Sequence, residues 1–100
     1  MDIIARKEQI QLLIAADNIP EAVRRVMDYV KDFGNNQDDL NEVIVQSSTY
    51  QQILKLQRQE QIDFDEATKR RNKVLFGLLG LLNQVETNFV LFNSATQSQA

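Results

Sequence analysis

Acidic side chains are the groups in this sequence best suited to general acid or base catalysis. The chain contains no histidine and no cysteine, so the usual general base, the thiolate nucleophile and the commonest metal ligands are absent. Its carboxylates include two short clusters: Asp38, Asp39 and Glu42, then Asp63, Asp65 and Glu66. Each cluster stands at the predicted start of a helix, where capping and the helix dipole favour acidic residues. We therefore interpret both clusters as structural.

Short motifs that would indicate an enzyme are also missing. No glycine-rich phosphate loop, Glu-x-x-His pair or nucleophile elbow occurs in the sequence. The sequence therefore predicts a protein that is not an enzyme, with no catalytic residue, no cofactor and no metal site.

Basic residues form one dense cluster at residues 69–73, which read KRRNK. Four cations in five residues could contact phosphates. The chain as a whole is acidic, with a net charge of −3 and a pI of about 4.8, whereas nucleic-acid-binding modules are usually basic. A small nucleic-acid-binding domain is therefore the less favoured alternative to a solvated or protein-contacting face.

Composition predicts a single all-α domain. One hundred residues suit one domain, and one proline and three glycines leave few turns. The N-terminus resembles no signal peptide. The longest apolar run, residues 74–82, is about half of the ~20 residues that span a bilayer. We therefore expect a cytoplasmic protein without a membrane partner.

Apolar spacing and capping signals divide the chain into four helices. The first two, about residues 2–16 and 18–33, form a helix-turn-helix pair that Gly34 ends with a positive φ angle. The third begins near Asn36 or Gln37, and the fourth begins at Asp63, the first residue of a capping box with Glu66. The predicted fold is a four-helix antiparallel bundle, in which the short pair precedes a long helical hairpin.

The fourth helix is predicted to occupy the centre of this bundle. Residues 74–82 read VLFGLLGLL and have no polar face, so the other helices should cover them on every side. If the hairpin folds about residues 61 and 62, Ser47 lies opposite Gly77 and Ile44 opposite Gly80. Small residues at these positions would let the third and fourth helices approach closely.

Residues 1–87 are predicted to form the helical domain, and residues 88–100 a helix extension followed by a polar flexible tail or linker. Large apolar residues late in the chain exceed what a small core can cover: Phe76, Leu81, Phe89, Leu91 and Phe92. A contiguous exposed patch of this kind marks a partner surface. The alternative is that the first two helices cover Phe76 and Leu81 and leave only the final aromatic residues free.

Three segments resemble a known family. Residues 13–23 carry an Ile-Ala step, a short polar turn and an acidic-Ala-apolar sequence; residues 41–50 read NEVIVQSSTY; and residues 61–79 carry IDFDEA, RNKV and a Leu-Leu pair. These features resemble the bacterial effector-associated domains, in particular the type numbered eleven, over about residues 8–85. Thr49, Gln61 and Lys73 depart from the family pattern, which has Arg, Gly and Arg at these positions.

The resemblance implies an adaptor rather than an enzyme. Such domains are fused to, or encoded beside, effectors in bacterial conflict systems, and couple sensor to effector by association of like domains. Our first hypothesis is therefore a homotypic interaction module, whose partners are like domains on the same or a neighbouring effector protein. The second is a heterotypic scaffold or regulatory subunit that binds a different helical partner through residues 89–92. The nucleic-acid-binding domain is the third.

The predicted interface combines charged and aromatic residues: Asp38, Asp39, Glu42, Lys69, Arg70, Lys73, Phe89 and Phe92. In an antiparallel hairpin the acidic residues lie beside the end of the fourth helix, and the basic residues lie near the turn, on the order of 20 Å away. That distance exceeds the Debye length of roughly 8 Å at physiological salt. The two patches are therefore expected to pair between copies, head to tail, rather than within one chain.

Overall fold

The computed structural model describes the backbone of residues 2–34 and 36–99 and the side chains of residues 2–34 and 36–92. Four α-helices account for nearly all of this part of the chain. They are α1 (Ile3–Ala15), α2 (Ile19–Phe33), α3 (Gln37–Arg58) and α4 (Phe64–Gln99). No strand occurs in the described part. The predicted all-α bundle is confirmed.

Side-chain caps fix where three of these helices begin. Oxygens of Asp2, Asn36 and Asp63 accept hydrogen bonds from backbone amides two or three residues further on, at 2.7, 2.8 and 2.8 Å respectively. Each bond satisfies an amide that has no partner inside its own helix. The predicted cap at Asp63 is confirmed. The second half of the capping box is not formed, because the Glu66 carboxylate accepts from Arg70 Nε at 2.8 Å instead.

Helices α1 and α3 each end at a residue whose backbone is in the left-handed region, with a positive φ angle. Asp17 has a φ angle of 64° and Glu60 one of 56°. In both turns the amide of the following residue donates to the carbonyl five residues earlier, at 2.9 Å. This bond is the longer of the two that define a Schellman motif, where glycine usually supplies the positive φ. At these two helix ends Asp17 and Glu60 take the place of that glycine.

Gly34 does not adopt the predicted positive φ angle. Its φ and ψ angles are −81° and 148°, which is extended backbone. Its amide donates to the Val30 carbonyl at 2.7 Å and closes the last turn of α2. Asn36, which caps α3, has extended φ and ψ angles of −137° and 122° as well.

Helices α2 and α4 share the centre of the bundle. Within the described residues each contacts the other three helices, whereas α1 and α3 do not contact each other. Buried side chains from all four helices form one cluster: Ile3, Ile10, Ile19, Val26, Tyr29, Val30, Val43, Tyr50, Ile53, Ala67, Val74, Leu78, Leu81, Leu82 and Val85. The core is therefore built around two central helices rather than around α4 alone.

The apolar run at residues 74–82 is covered except along a narrow outer strip. Val74, Leu78 and Leu82 are buried, but Phe76 is 70% exposed and Gly80 is exposed as well. Three helices of this length cannot surround a fourth, and they cover the face of α4 that carries the buried positions. The prediction that this run is buried all round is wrong, and its outer face lies open.

The α3–α4 hairpin is within one residue of its predicted register at Gly77. A Cβ atom built on Gly77 would lie 2.9 Å from Cδ of Gln46, so Gln46, and not the predicted Ser47, covers this glycine. The second predicted pair is wrong. No neighbouring side chain lies within 4 Å of a Cβ atom built on Gly80, and Ile44 is 51% exposed. Successive helical residues are about 100° apart, so the buried Val43 turns Ile44 outward.

Helix α4 is much longer than the other three. The predicted helix extension beyond residue 87 is present, while the predicted tail at residues 93–100 carries side chains outside the described part. Over Phe64–Phe92 the helix is long and apolar enough to cross a membrane by length and composition alone, and 28% of its most apolar window is buried. Core helices pass the same test, and Val74, Leu78 and Leu82 are buried in the core cluster.

Candidate interaction surface

The acidic residues at the start of α3 divide between the surface and the interior. Asp38 and Glu42 are exposed, whereas Asp39 is only 4% exposed. The Asp39 carboxylate accepts a hydrogen bond from Gln84 Nε2 at 3.3 Å. Burial, and secondly the charge of Asp38, raise the pKa of Asp39. The acidic patch that a partner can reach consists of Asp38 and Glu42.

The two arginines of the basic cluster are held by acidic residues of the same chain. Arg70 donates to Glu66 one turn earlier, and this hydrogen bond lowers the pKa of the Glu66 carboxylate. Arg71 pairs with Asp17 and so ties α4 to the turn between α1 and α2. Neither arginine is a free cation.

The two lysines of the cluster remain available. Lys69 and Lys73 are exposed, and neither forms a salt bridge within the described part of the chain. Lysine carries a compact, strongly hydrated charge on a flexible stem, which suits a surface contact. The basic patch that a partner can reach therefore consists of Lys69 and Lys73.

Both patches lie along the groove between α3 and α4. An open cavity of about 410 Å³ at one position is lined by Asp38, Glu42, Gly77, Gly80 and others. A second, of about 500 Å³, is lined by Arg70, Lys73 and residues of α3 from Gln46 onward. About ten residues of α4 separate the two positions, on the order of 15 Å. This is shorter than predicted but still exceeds the Debye length of roughly 8 Å.

A stripe along α4 joins the lysines to an exposed aromatic ring. Its residues recur at intervals of four, three and four, which places them on one side of a helix: Lys69, Lys73, Phe76 and Gly80. Phe76 is 70% exposed. A large aromatic ring in this position is an apolar projection directly beside a cation.

A matching stripe follows α3. Asp38, Glu42, Val45 and Thr49 recur at the same intervals, and Val45 is 56% exposed. Val45 and Phe76 directly precede the contacting pair Gln46 and Gly77, so in this antiparallel hairpin they lie about two residue rises, roughly 3 Å, apart along the groove. The α3–α4 face therefore carries an acidic patch, an apolar centre and a basic patch in that order along its length.

The apolar centre is the part of this surface that the predicted interface missed. Neither Val45 nor Phe76 was among its residues, although Phe76 was one of the apolar residues judged hard to cover. The available signal was the spacing of Phe76 from Lys69 and Lys73, which places all three on the polar side of α4. The prediction that residues 74–82 are buried on every side left this spacing out of account.

The aromatic residues late in α4 lie apart from this face. Phe89 is half-buried and packs edge-on against Phe33, with ring centroids 5.1 Å apart. Phe92 is 60% exposed, and both rings line a cavity of about 340 Å³ near the start of α3. Leu81 is buried, as the alternative in the sequence analysis expected, whereas Phe76 is exposed, which that alternative did not expect. Exposed Leu91 extends the apolar surface toward the end of the helix.

Carboxylates in the described residues do not converge on one point. No group of three or more Asp or Glu side chains there is close enough to hold a metal ion. Asp63 caps a helix, Glu66 pairs with Arg70, and Asp39 is bonded to Gln84. These three carboxylates therefore act separately, as a helix cap, an ion-pair partner and a hydrogen-bond acceptor.

These features define a small helical-bundle domain with one open, charged face. The family model of Effector-associated domain 11 matches residues 5–86. The chain therefore belongs to this family, and the resemblance seen in the sequence over residues 8–85 is confirmed. No curated protein and no solved structure matches the chain. Membership places it among the domains that are associated with effector proteins.

Proposed function

We propose that this domain is a non-catalytic adaptor that associates with like domains and thereby couples sensor and effector proteins in a bacterial conflict or signalling system. Membership of an effector-associated family supports the link to effectors. The observation that carries the homotypic part is the α3–α4 face. It holds exposed charges of opposite sign that are too far apart to neutralise each other within one chain.

In such a contact, the charged residues determine the relative orientation of the two copies more than they determine the affinity. An exposed ion pair contributes about 0.2–1 kcal/mol, so pairs between the lysines of one copy and Asp38 or Glu42 of another give weak association. Electrostatic complementarity mainly sets the encounter rate and the register. The exposed apolar centre at Val45 and Phe76 supplies surface whose burial adds affinity.

A heterotypic partner is the second candidate, and one observation favours it. Phe89 and Phe92 line the 340 Å³ cavity together with Phe33, where α4 extends past the other helices. An apolar helix from a different protein could fill this cavity. Nucleic-acid binding is less favoured because Arg70 and Arg71 are engaged in ion pairs. A gel shift with salt titration tests that third possibility.

Light scattering after size-exclusion chromatography tests the homotypic proposal. We expect the average mass to rise with protein concentration and to fall when salt is added, because the contact joins opposite charges. Lys73→Glu should weaken association. Lys31→Glu makes the same charge change at an exposed residue of α2 and serves as the matched control. Monomeric mass at every concentration, or association that strengthens with salt, would move the heterotypic proposal ahead.

A further inference from the structure

We propose that two copies of this chain form a closed two-fold dimer, in which Phe76 of each copy enters the groove of the other beside Gly80. This inference rests on the proposed homotypic function and adds its surface and its symmetry. The partner is a second copy of the chain, bound through the α3–α4 face.

The order of charges along that face is the first argument. The acidic patch (Asp38, Glu42) and the basic patch (Lys69, Lys73) lie on one face, with apolar residues between them. A two-fold axis midway between the patches exchanges them, so each acidic patch meets the basic patch of the other copy. Both contacts form at once, and the assembly closes at two copies. The head-to-tail arrangement expected from the sequence would instead leave one acidic patch and one basic patch unpaired at the ends of each array.

The shape of the groove is the second argument. The cavity of about 410 Å³ beside Asp38 and Glu42 is floored by Gly77, Gly80 and Leu81. No neighbouring side chain lies within 4 Å of a Cβ atom built on Gly80, so a depression stands open at this point. Phe76 projects from the same helix one turn earlier. Aromatic rings that enter such pockets are the usual anchors of protein interfaces.

The positions of the charges and of the ring agree with each other. The midpoint between the two patches falls near residues 77 and 78 of α4, which is also the midpoint between Phe76 and Gly80. A two-fold axis there carries Phe76 toward the groove beside Gly80 of the other copy. Lys73 lies one turn before Phe76 on the same stripe, so it arrives at the acidic rim of the groove as the ring enters.

Two variants test the contact from its two sides. Phe76→Ala removes the projecting ring, and Gly80→Leu fills the depression at a position where an added Cβ atom has no neighbour within 4 Å. Phe64→Ala is the matched control, because Phe64 is 73% exposed on the same helix but lies beside the turn. We expect the wild type and Phe64→Ala to reach a plateau at the mass of two chains. Phe76→Ala and Gly80→Leu should dimerise at least about tenfold more weakly, with unchanged helix content by circular dichroism.

The outcomes separate this inference from the proposed function. If the wild type stays monomeric at all concentrations, the homotypic function itself fails. If the wild type dimerises and both Phe76→Ala and Gly80→Leu dimerise equally well, the function stands and this surface is wrong. If the mass of the wild type keeps rising beyond two chains, association is head to tail and the closed geometry is wrong.

Discussion

Asp63 shows how one side chain fixes the start of the longest helix. Its carboxylate accepts from the Glu66 amide at 2.8 Å, one of the amides that the helix leaves unpaired. We predict that Asp63→Ala lowers the free energy of unfolding by about 1 kcal/mol in urea denaturation. Asp65→Ala, two residues later and exposed, should have a smaller effect. The reverse order of the two effects would mean that α4 begins after Asp63.

Asp39 should make stability depend on pH. Its pKa is raised by burial and by Asp38, so the folded state binds more protons than the unfolded state as this carboxyl titrates. Protonated Asp39 therefore favours the folded state. This stabilisation is fully present below the pKa that Asp39 has in the unfolded chain, and it is lost as the pH rises through the higher pKa that Asp39 has in the folded protein. Asp39→Asn keeps an oxygen that can accept from Gln84. We predict that Asp39→Asn has a higher melting temperature than the wild type at pH 7.

The difference between wild type and Asp39→Asn should shrink as the pH falls toward 3, because the wild-type carboxyl then becomes neutral as well. Asp38→Asn is the control, since Asp38 is exposed and should change the melting temperature less. A lower melting temperature for Asp39→Asn at pH 7 would show that attraction between this charge and the N-terminus of α3 outweighs its cost of burial.

At the scale of the elements, the turn between α3 and α4 holds removable strain. Glu60 has a φ angle of 56°, a conformation that costs residues with a Cβ atom about 1–2 kcal/mol. We predict that relief of this strain in Glu60→Gly raises the free energy of unfolding by about 1 kcal/mol. The greater conformational entropy of glycine in the unfolded chain reduces the net gain. Gln59→Gly is the matched control, because Gln59 has a φ angle of −85° and gains no relief. Equal effects of the two changes would contradict this account.

The two glycines of α4 should respond differently to an added methyl group. Gly80 has open space around it, so Gly80→Ala should stabilise the helix by about 0.5–1 kcal/mol. At Gly77 a Cβ atom would lie 2.9 Å from Gln46 Cδ, and moving that side chain disturbs its hydrogen bond to Glu42. Gly77→Ala should therefore gain less. Thermal unfolding at low protein concentration, where the monomer prevails, measures both changes.

Helix positions could be predicted from the sequence because the signals are local. Apolar residues recur at helical spacing, and Asp63 stands three residues before Glu66. The left-handed turns could not be found in this way, because Asp17 and Glu60 occupy positions where glycine is the usual signal. Conversely, Gly34 carries that signal but has extended backbone, and its amide bonds to the Val30 carbonyl without a positive φ angle.

At the scale of the whole molecule, the open face of α4 depends on how many helices surround it. The sequence of residues 74–82 contains no polar residue that would mark Phe76 as exposed. Its exposure follows from the packing, in which α1, α2 and α3 cover only the other side of α4. Asp39 is the converse case, because its acidic type predicts exposure while the neighbouring α4 buries it. The charged residues of the face could be predicted from their types, whereas its apolar centre is indicated in the sequence only by the spacing of Phe76 from Lys69 and Lys73.

The central claim, that opposite charges on the α3–α4 face join two copies of this chain, is tested most directly by exchanging them. One variant, Lys69→Glu with Lys73→Glu, carries two acidic patches. The other, Asp38→Arg with Glu42→Arg, carries two basic patches. The second variant uses Asp38 rather than the predicted Asp39, because Asp39 is buried. Circular dichroism should show that both variants remain helical.

Light scattering on each variant alone and on their equimolar mixture gives the answer. Each variant alone should be monomeric, because like charges then face each other across the contact. The mixture should form a complex with the mass of two chains, and added salt should dissociate it. Association of either variant alone at the wild-type level, or a mixture that remains monomeric while the wild type associates, would contradict the account.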